Sequence, residues 1–155
     1  MPFTPSPAYA LKSNLAMRYL LLALAIAGVV VSSLALQVHY STKATPCDIN
    51  AHWDCGIVNH SSFSMIEHVP VAAIGIAGYV VIGVLGFFRR RFLLVLAVFA
   101  GFCFALHLTS IEEYVLQVWC LYCVISQTII ALLLLVSVGW LGVEYVGLKR
   151  SARAA

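Results

Sequence analysis

The chain has 155 residues, of which 63% are hydrophobic and only 10% charged. Soluble domains carry about 25% charged residues, so the composition excludes an ordinary soluble enzyme and indicates an integral membrane protein. The net charge of +3 comes with no basic patch interleaved with aromatics, which argues against nucleic acid as a partner.

Residues 1–16 hold three of the five prolines and read as a flexible arm. Met17 to Gln37 is nearly all apolar and forms a first span. A cleaved signal peptide, with Lys12 and Arg18 as its basic region, is the competing reading. Its apolar core runs only about 7–15 residues, so an uncleaved anchor is expected.

Val38 to His68 is polar and carries Cys47, Cys55 and four histidines. Ser64 and Glu67 have the spacing of a capping box, and Pro70 suits the first turn of a following helix. Ser61 to His68 can form a short half-helix at the membrane surface. The second span is expected from Val69 to Phe88, with Gly75, Gly78, Gly83 and Gly86 allowing close helix packing in lipid. Arg89-Arg90-Arg91 forms a basic turn before a third span, Phe92 to Thr109, and Ser110 to Val118 forms a short loop with Glu112 and Glu113. A fourth span starts near Cys120; its apolar run of about 20 residues is long enough to cross a bilayer. Residues 17–146 thus form an all-α four-helix membrane domain, and residues 147–155 a basic tail.

Lys12, Arg18, the three arginines of the turn, Lys149, Arg150 and Arg153 fall on one side of a four-span chain, and only Lys43 on the other. Basic loops stay in the cytoplasm. Both termini are therefore expected inside a cytoplasmic membrane, with both cysteine-bearing loops in an oxidising compartment outside, where disulfides persist.

Four cysteines then share one face. Cys120 and Cys123 form a C-x-x-C at the N-terminal mouth of the fourth span, where backbone N–H groups and the helix dipole favour a thiolate. Cys47 and Cys55 can close a small loop, and their neighbours Asp48 and Asp54 disfavour a thiolate. Stabilising the reduced form makes a pair more oxidising, so electrons are expected to run from the loop pair to the helix pair. A soluble dithiol protein suits the exposed loop as donor, and a lipid-soluble quinone suits Cys123 as acceptor.

Cys47-Asp48 and Cys55, Ser61 six residues further on, Pro70, Gly75 and Tyr79, and the final C-x-x-C together resemble the vitamin K epoxide reductase family over roughly residues 17–142. Their order matters. Disulfide-generating proteins of the DsbB type place the C-x-x-C in the first outer loop, the reverse of this chain. The resemblance implies a four-helix bundle around a quinone, either ubiquinone or menaquinone, capped by the cysteine loop and its half-helix. It implies that Cys123 reacts with the quinone and that Cys120 is its exchange partner. Cys55 would attack Cys120, Cys47 would exchange with a thioredoxin-fold partner, and Ser61 would lie near the quinone head group. In bacterial members the partner is DsbA-like. No such domain lies within these residues, so a separate partner is expected. Animal members have tyrosine where Gln127 stands and asparagine where Val71 stands, both contacts to the vitamin K head group. Simple quinone reduction is therefore expected over epoxide reduction, with Gln127 offering a hydrogen bond to a quinone carbonyl.

Two other functions stand beside this one: a vitamin K quinone or epoxide reductase, and a non-catalytic metal-binding membrane protein, since C-x-x-C is common in zinc sites. Cys103 and His107 share a face of the third span, and the expectation is a small buried thiol with a satisfied histidine. The loop histidines read as solvated residues, one of which could supply protons. Trp53 and Trp119 read equally as quinone-flanking rings or as an interfacial belt.

Overall fold

The computed structural model describes residues 7–42 and 46–154. Lys43, the one basic residue expected on the outer side, lies outside the described residues, as do the side chains of Lys12, Arg150 and Arg153.

The apolar runs form four long helices. Helix α1 spans Pro7–Tyr40, α3 Val71–Phe87, α4 Arg91–Ile111 and α5 Leu121–Ala154. Three of them, α1, α4 and α5, are long and apolar enough to cross a membrane. Helix α3 has 17 residues, a length of about 25 Å at 1.5 Å per residue, which is a little short of a hydrocarbon core of about 30 Å. The family of elements is that of an all-α, multi-pass membrane protein. The flexible arm expected over 1–16 is helical from Pro7 onward, and the basic tail continues α5 to Ala154.

Helix α3 ends where Arg89 adopts a left-handed conformation, φ 57°. The N–H of Arg90 then reaches the carbonyl of Leu85, and that of Arg89 the carbonyl of Gly86. This double bond pattern satisfies the last carbonyls of the helix and reverses the chain within three residues. The reversal brings Arg91 back to α1, where its guanidinium meets Asn14 Oδ1 at 3.5 Å and lies over the Trp140 ring of α5. Asn14 Oδ1 also accepts from Trp140 Nε1 at 2.8 Å. The described basic residues thus gather at one end of the bundle, and the cysteines at the other.

Helix α1 packs chiefly against α3 and α5, and α4 against α5. Close approach depends on Gly28, where a Cβ would fall inside the Tyr79 ring. Leu21, Ala25, Ile82, Leu94, Val98, Leu133 and Trp140 fill the middle of the bundle.

The short elements depart from expectation. The half-helix is α2, Cys55–His60, rather than Ser61–His68. It forms there because Asp54 Oδ1 accepts the Ile57 N–H at 2.9 Å, a side-chain cap that Ser61–His68 lacks. Ser62–Ser64 is a single 3₁₀ turn, followed by a two-residue hairpin, β1 (Met65–Ile66) and β2 (Val69–Pro70). Glu67 and His68 both have positive φ, as a tight hairpin turn demands. Ser64 and Glu67 are therefore not a capping box: Ser64 Oγ donates to Ser61 O at 2.8 Å. Pro70 is the cap residue before α3. The loop expected over Ser110 to Val118 is helical as far as Leu116, the last turn being a π turn, Glu112–Leu116.

Candidate functional site

The outer end of the bundle is organised by the pairing of two chain segments. The loop folds back through an Asx turn, in which Asn50 Oδ1 accepts the His52 N–H at 2.9 Å. Trp53 then forms a parallel bridge with Trp119. The Trp119 N–H reaches His52 O at 2.9 Å, and the Asp54 N–H reaches Trp119 O at 3.1 Å. The two indole rings lie 6.2 Å apart. Neither tryptophan lines the cavity described below, so their partner is each other rather than a quinone.

This pairing carries Cys55 to Cys120. Cys47 and Cys55 are joined by a disulfide, and the Sγ atoms of Cys55 and Cys120 lie 3.5 Å apart. Cys120 and Cys123 are free thiols. All three of Cys47, Cys55 and Cys120 are at most 1% exposed, packed among Val38, Val58, Leu116, Val118 and Leu121. The loop pair is therefore not the exposed disulfide expected from its polar sequence. Two carboxylates fasten the loop to α2: Asp54 caps it, and Asp48 Oδ1 accepts the Gly56 N–H at 3.2 Å.

Cys120 precedes the first residue of α5, and its Sγ accepts the Cys123 N–H at 3.4 Å. A sulfur thus occupies the position of a side-chain N-cap, against the free N–H groups of the helix. The Asn59 amide donates to the same sulfur at 3.6 Å and to Cys55 O at 2.9 Å. The Cys120 thiol is held below its ordinary pKa, chiefly by the hydrogen bond from the Cys123 side chain, while burial works in the opposite direction. Asn59 is fixed in turn by α1, since His39 Nδ1 lies 2.6 Å from its carbonyl oxygen. His39 is thus engaged with the backbone rather than solvated. His60 stacks on it at 6.2 Å.

Beneath α2, helices α1, α3, α4 and α5 enclose a cavity of about 440 Å³. Its walls are mainly apolar, and its polar lining includes Ser32, Asn59, Ser61, Tyr79, Glu112, Ser126 and Gln127, with Cys123 beside them. Ser61 Oγ donates to Val58 O at 2.8 Å, and Tyr79 Oη bonds to Ser126 of α5 at 2.9 Å. Gln127 Oε1 is buried without a hydrogen-bond partner among the described residues. Cys120 does not line the cavity; it lies between Cys55 on one side and Cys123 on the other. Cys103 and His107 are exposed on the outside of α4, so the small buried thiol expected there is not found.

The cysteine order, the buried sulfur cluster and the cavity all fall within one matched region: the profile of the vitamin K epoxide reductase family matches residues 19–138. The chain belongs to this family. No curated protein matches the chain significantly. Membership of the vitamin K epoxide reductase family makes the protein an oxidoreductase, and the gathered sulfurs are those of thiol chemistry. Members of the family use quinones as electron partners in general.

Two residues of the site escaped the sequence reading. Asn59 looked like one more polar loop residue; its only signal is its place four residues after Cys55, one turn along a helix. Glu112 was placed in a loop, whereas the helix continues through it and turns it inward on the face of Ala105 and Leu108, where it is 3% exposed.

Proposed function

We propose that the protein is a membrane thiol–quinone oxidoreductase. It oxidises a thioredoxin-fold, DsbA-like dithiol protein on the outer side of the membrane and passes two electrons to a quinone, supporting disulfide formation. The observation that carries this reading is the 3.5 Å approach of Cys55 and Cys120 beside a cavity that Cys123 lines.

The donor dithiol reduces the Cys47–Cys55 disulfide through Cys47 and leaves as a disulfide. Cys47 is 1% exposed, so the loop must lift for the donor to reach it. Cys55 then attacks Cys120 of a Cys120–Cys123 disulfide, with Cys123 leaving as a thiol, and Cys47 closes on Cys55 again and releases Cys120, so that both helix cysteines end reduced. That is the pairing seen here, with the loop pair bridged and the helix pair free. A leaving thiol of low pKa departs faster, which is what the hydrogen bonds to the Cys120 sulfur supply.

The cavity suits a quinone. Its volume falls in the range of about 300–1,000 Å³ typical of small-molecule sites. The unpartnered Gln127 Oε1 is an acceptor and suits a hydroquinone O–H, while the amide N–H of the same side chain suits a quinone carbonyl. Cys123, Ser61 and Gln127 would hold the ring, which supplies a two-electron, two-proton acceptor. Val71 and Gln127, the two departures from the animal members, both line this cavity, which favours simple quinone reduction over epoxide reduction. A metal cage of Cys47, Cys55 and Cys120 is disfavoured because two of these sulfurs are bonded to each other. The four-span topology, with α3 as the fourth crossing and the cysteines on the outer side, belongs to the same reading.

The test is Cys123→Ser. Quinone reduction by a dithiol donor is lost, and a Cys55–Cys120 bridge accumulates on a non-reducing gel. Continued quinone reduction by this variant overturns the reading.

A further inference from the structure

Glu112 is a buried carboxyl side chain in an apolar membrane bundle, and the relay just described gives it nothing to do. It continues the cavity-facing stripe of α4, after Ala105 and Leu108, at the start of the π turn Glu112–Leu116, a distortion often found at functional sites. Its Oε2 accepts the Cys120 N–H at 3.2 Å. A carboxylate oxygen of Glu112, Cys120 Sγ and Cys123 Sγ all lie within 4.8 Å of one another. The Glu112 carboxylate thus lies close to the Cys123 sulfur, and both residues line the cavity. Glu113, its neighbour in sequence, is exposed.

We infer that Glu112 is the proton acceptor of the helix dithiol: it takes the Cys123 thiol proton as the sulfur gives up its electrons and delivers it into the cavity. The inference rests on the quinone reading above. Joining Cys120 and Cys123 in a disulfide breaks two S–H bonds, forms one S–S bond and releases two electrons and two protons. Both electrons and both protons leave for the quinone, which becomes a hydroquinone. The Cys120 sulfur accepts from the Cys123 N–H and from the Asn59 amide, which favours its thiolate. The Cys123 proton is the one that needs a carrier, and a Glu112 carboxylate oxygen lies within 4.8 Å of the Cys123 sulfur. An isolated carboxylate buried in an apolar interior is costly. A carboxyl that shares one proton with a thiol avoids that cost and can change protonation state with the redox state of its partner.

A structural role is the simplest competitor, because Glu112 also anchors the Cys120 N–H. Glu112→Gln separates the two: the amide oxygen still accepts that N–H, but the side chain no longer carries a proton between states. The full-length protein in lipid nanodiscs is compared as wild type, E112Q and E112D. In quinone-free protein, the infrared difference between the oxidised form and the form reduced by a small dithiol contains a carboxyl band that moves on deuteration and is absent from E112Q. In quinone turnover with a dithiol donor, kcat of E112Q falls about 10²-fold with KM unchanged, and E112D recovers part of the loss. Wild-type kcat in E112Q, or no redox-linked carboxyl band in the wild type, overturns the inference. So does stoichiometric zinc held by the reduced wild type and lost in E112Q, which makes the three groups a metal site. If the wild type shows the band but reduces no quinone, the failure lies with the quinone reading, and the proton exchange between Glu112 and Cys123 stands.

Discussion

Cys55 and Cys120 are 65 residues apart in the chain, and their sulfurs are 3.5 Å apart in space. Nothing between the two sulfurs has to move for one to attack the other. The contact is held from both sides: the backbone bonds of His52 and Asp54 with Trp119 fix one approach, and Asn59, bonded to both cysteines, fixes the other.

This geometry has a direct consequence in a variant that leaves only these two cysteines beside each other. In Cys47→Ser/Cys123→Ser, mild oxidation joins Cys55 to Cys120, and peptide mass mapping recovers the cross-linked pair. Cys103 stays unpaired, because it faces outward from α4. Finding both Cys55 and Cys120 alkylated after oxidation would contradict the observed contact.

The Cys120 thiol, held low by hydrogen bonds, keeps a thiolate fraction as the pH falls below the ordinary thiol range. In the reduced protein its ionisation favours the fold above the unfolded thiol pKa, and that contribution is lost as pH falls through the lowered folded value. Asn59→Leu removes one of the donors. Thiolate absorbance of Cys120 should then titrate at higher pH. Exchange with Cys55 slows at mildly acidic pH and is little changed at alkaline pH, where the thiol is ionised in both proteins. A uniform slowing at every pH would show that Asn59 only positions the sulfur.

Helix α1 meets α3 at Gly28, where the Tyr79 ring fills the space a side chain would take. Gly28→Ala forces the helices apart and costs about 1–3 kcal/mol, the usual penalty of overpacking. Gly78→Ala is the control, since a Cβ there meets nothing within 4 Å. Chemical unfolding in detergent micelles should separate the two variants, and equal stabilities would remove the assigned role of Gly28.

Gln127 carries a buried oxygen without a hydrogen-bond partner among the described residues. Gln127→Leu removes that oxygen along with the amide donor, so the quinone-free protein should be as stable as the wild type or more so. The same change raises the quinone KM about threefold to tenfold, the worth of one neutral hydrogen bond. Steady-state kinetics beside thermal unfolding of the quinone-free protein test both halves. An unchanged KM would place the ring away from Gln127.

The apolar runs, the arginine turn and the four cysteines of the proposed relay were all legible in the sequence. Each depends on local chemistry: a long apolar segment must be helical in lipid, because its backbone polar groups have no other partners. The cysteine spacing and the residues around it were enough to suggest the family. What the sequence did not fix was everything decided by contacts between distant segments. The half-helix lies at Cys55–His60 because Asp54 caps it there, whereas Ser64 ends a 3₁₀ turn and Glu67 sits in a hairpin turn. Burial of the loop disulfide follows from its docking against α1 and the start of α5, which a polar loop sequence does not announce. Glu112 becomes part of the site because α4 continues past the expected span end and packs that face beside the start of α5, near Cys123. Local sequence chose the helices and the reactive atoms; tertiary packing decided which of those atoms touch, because the energy of a contact between remote residues is written in neither segment alone.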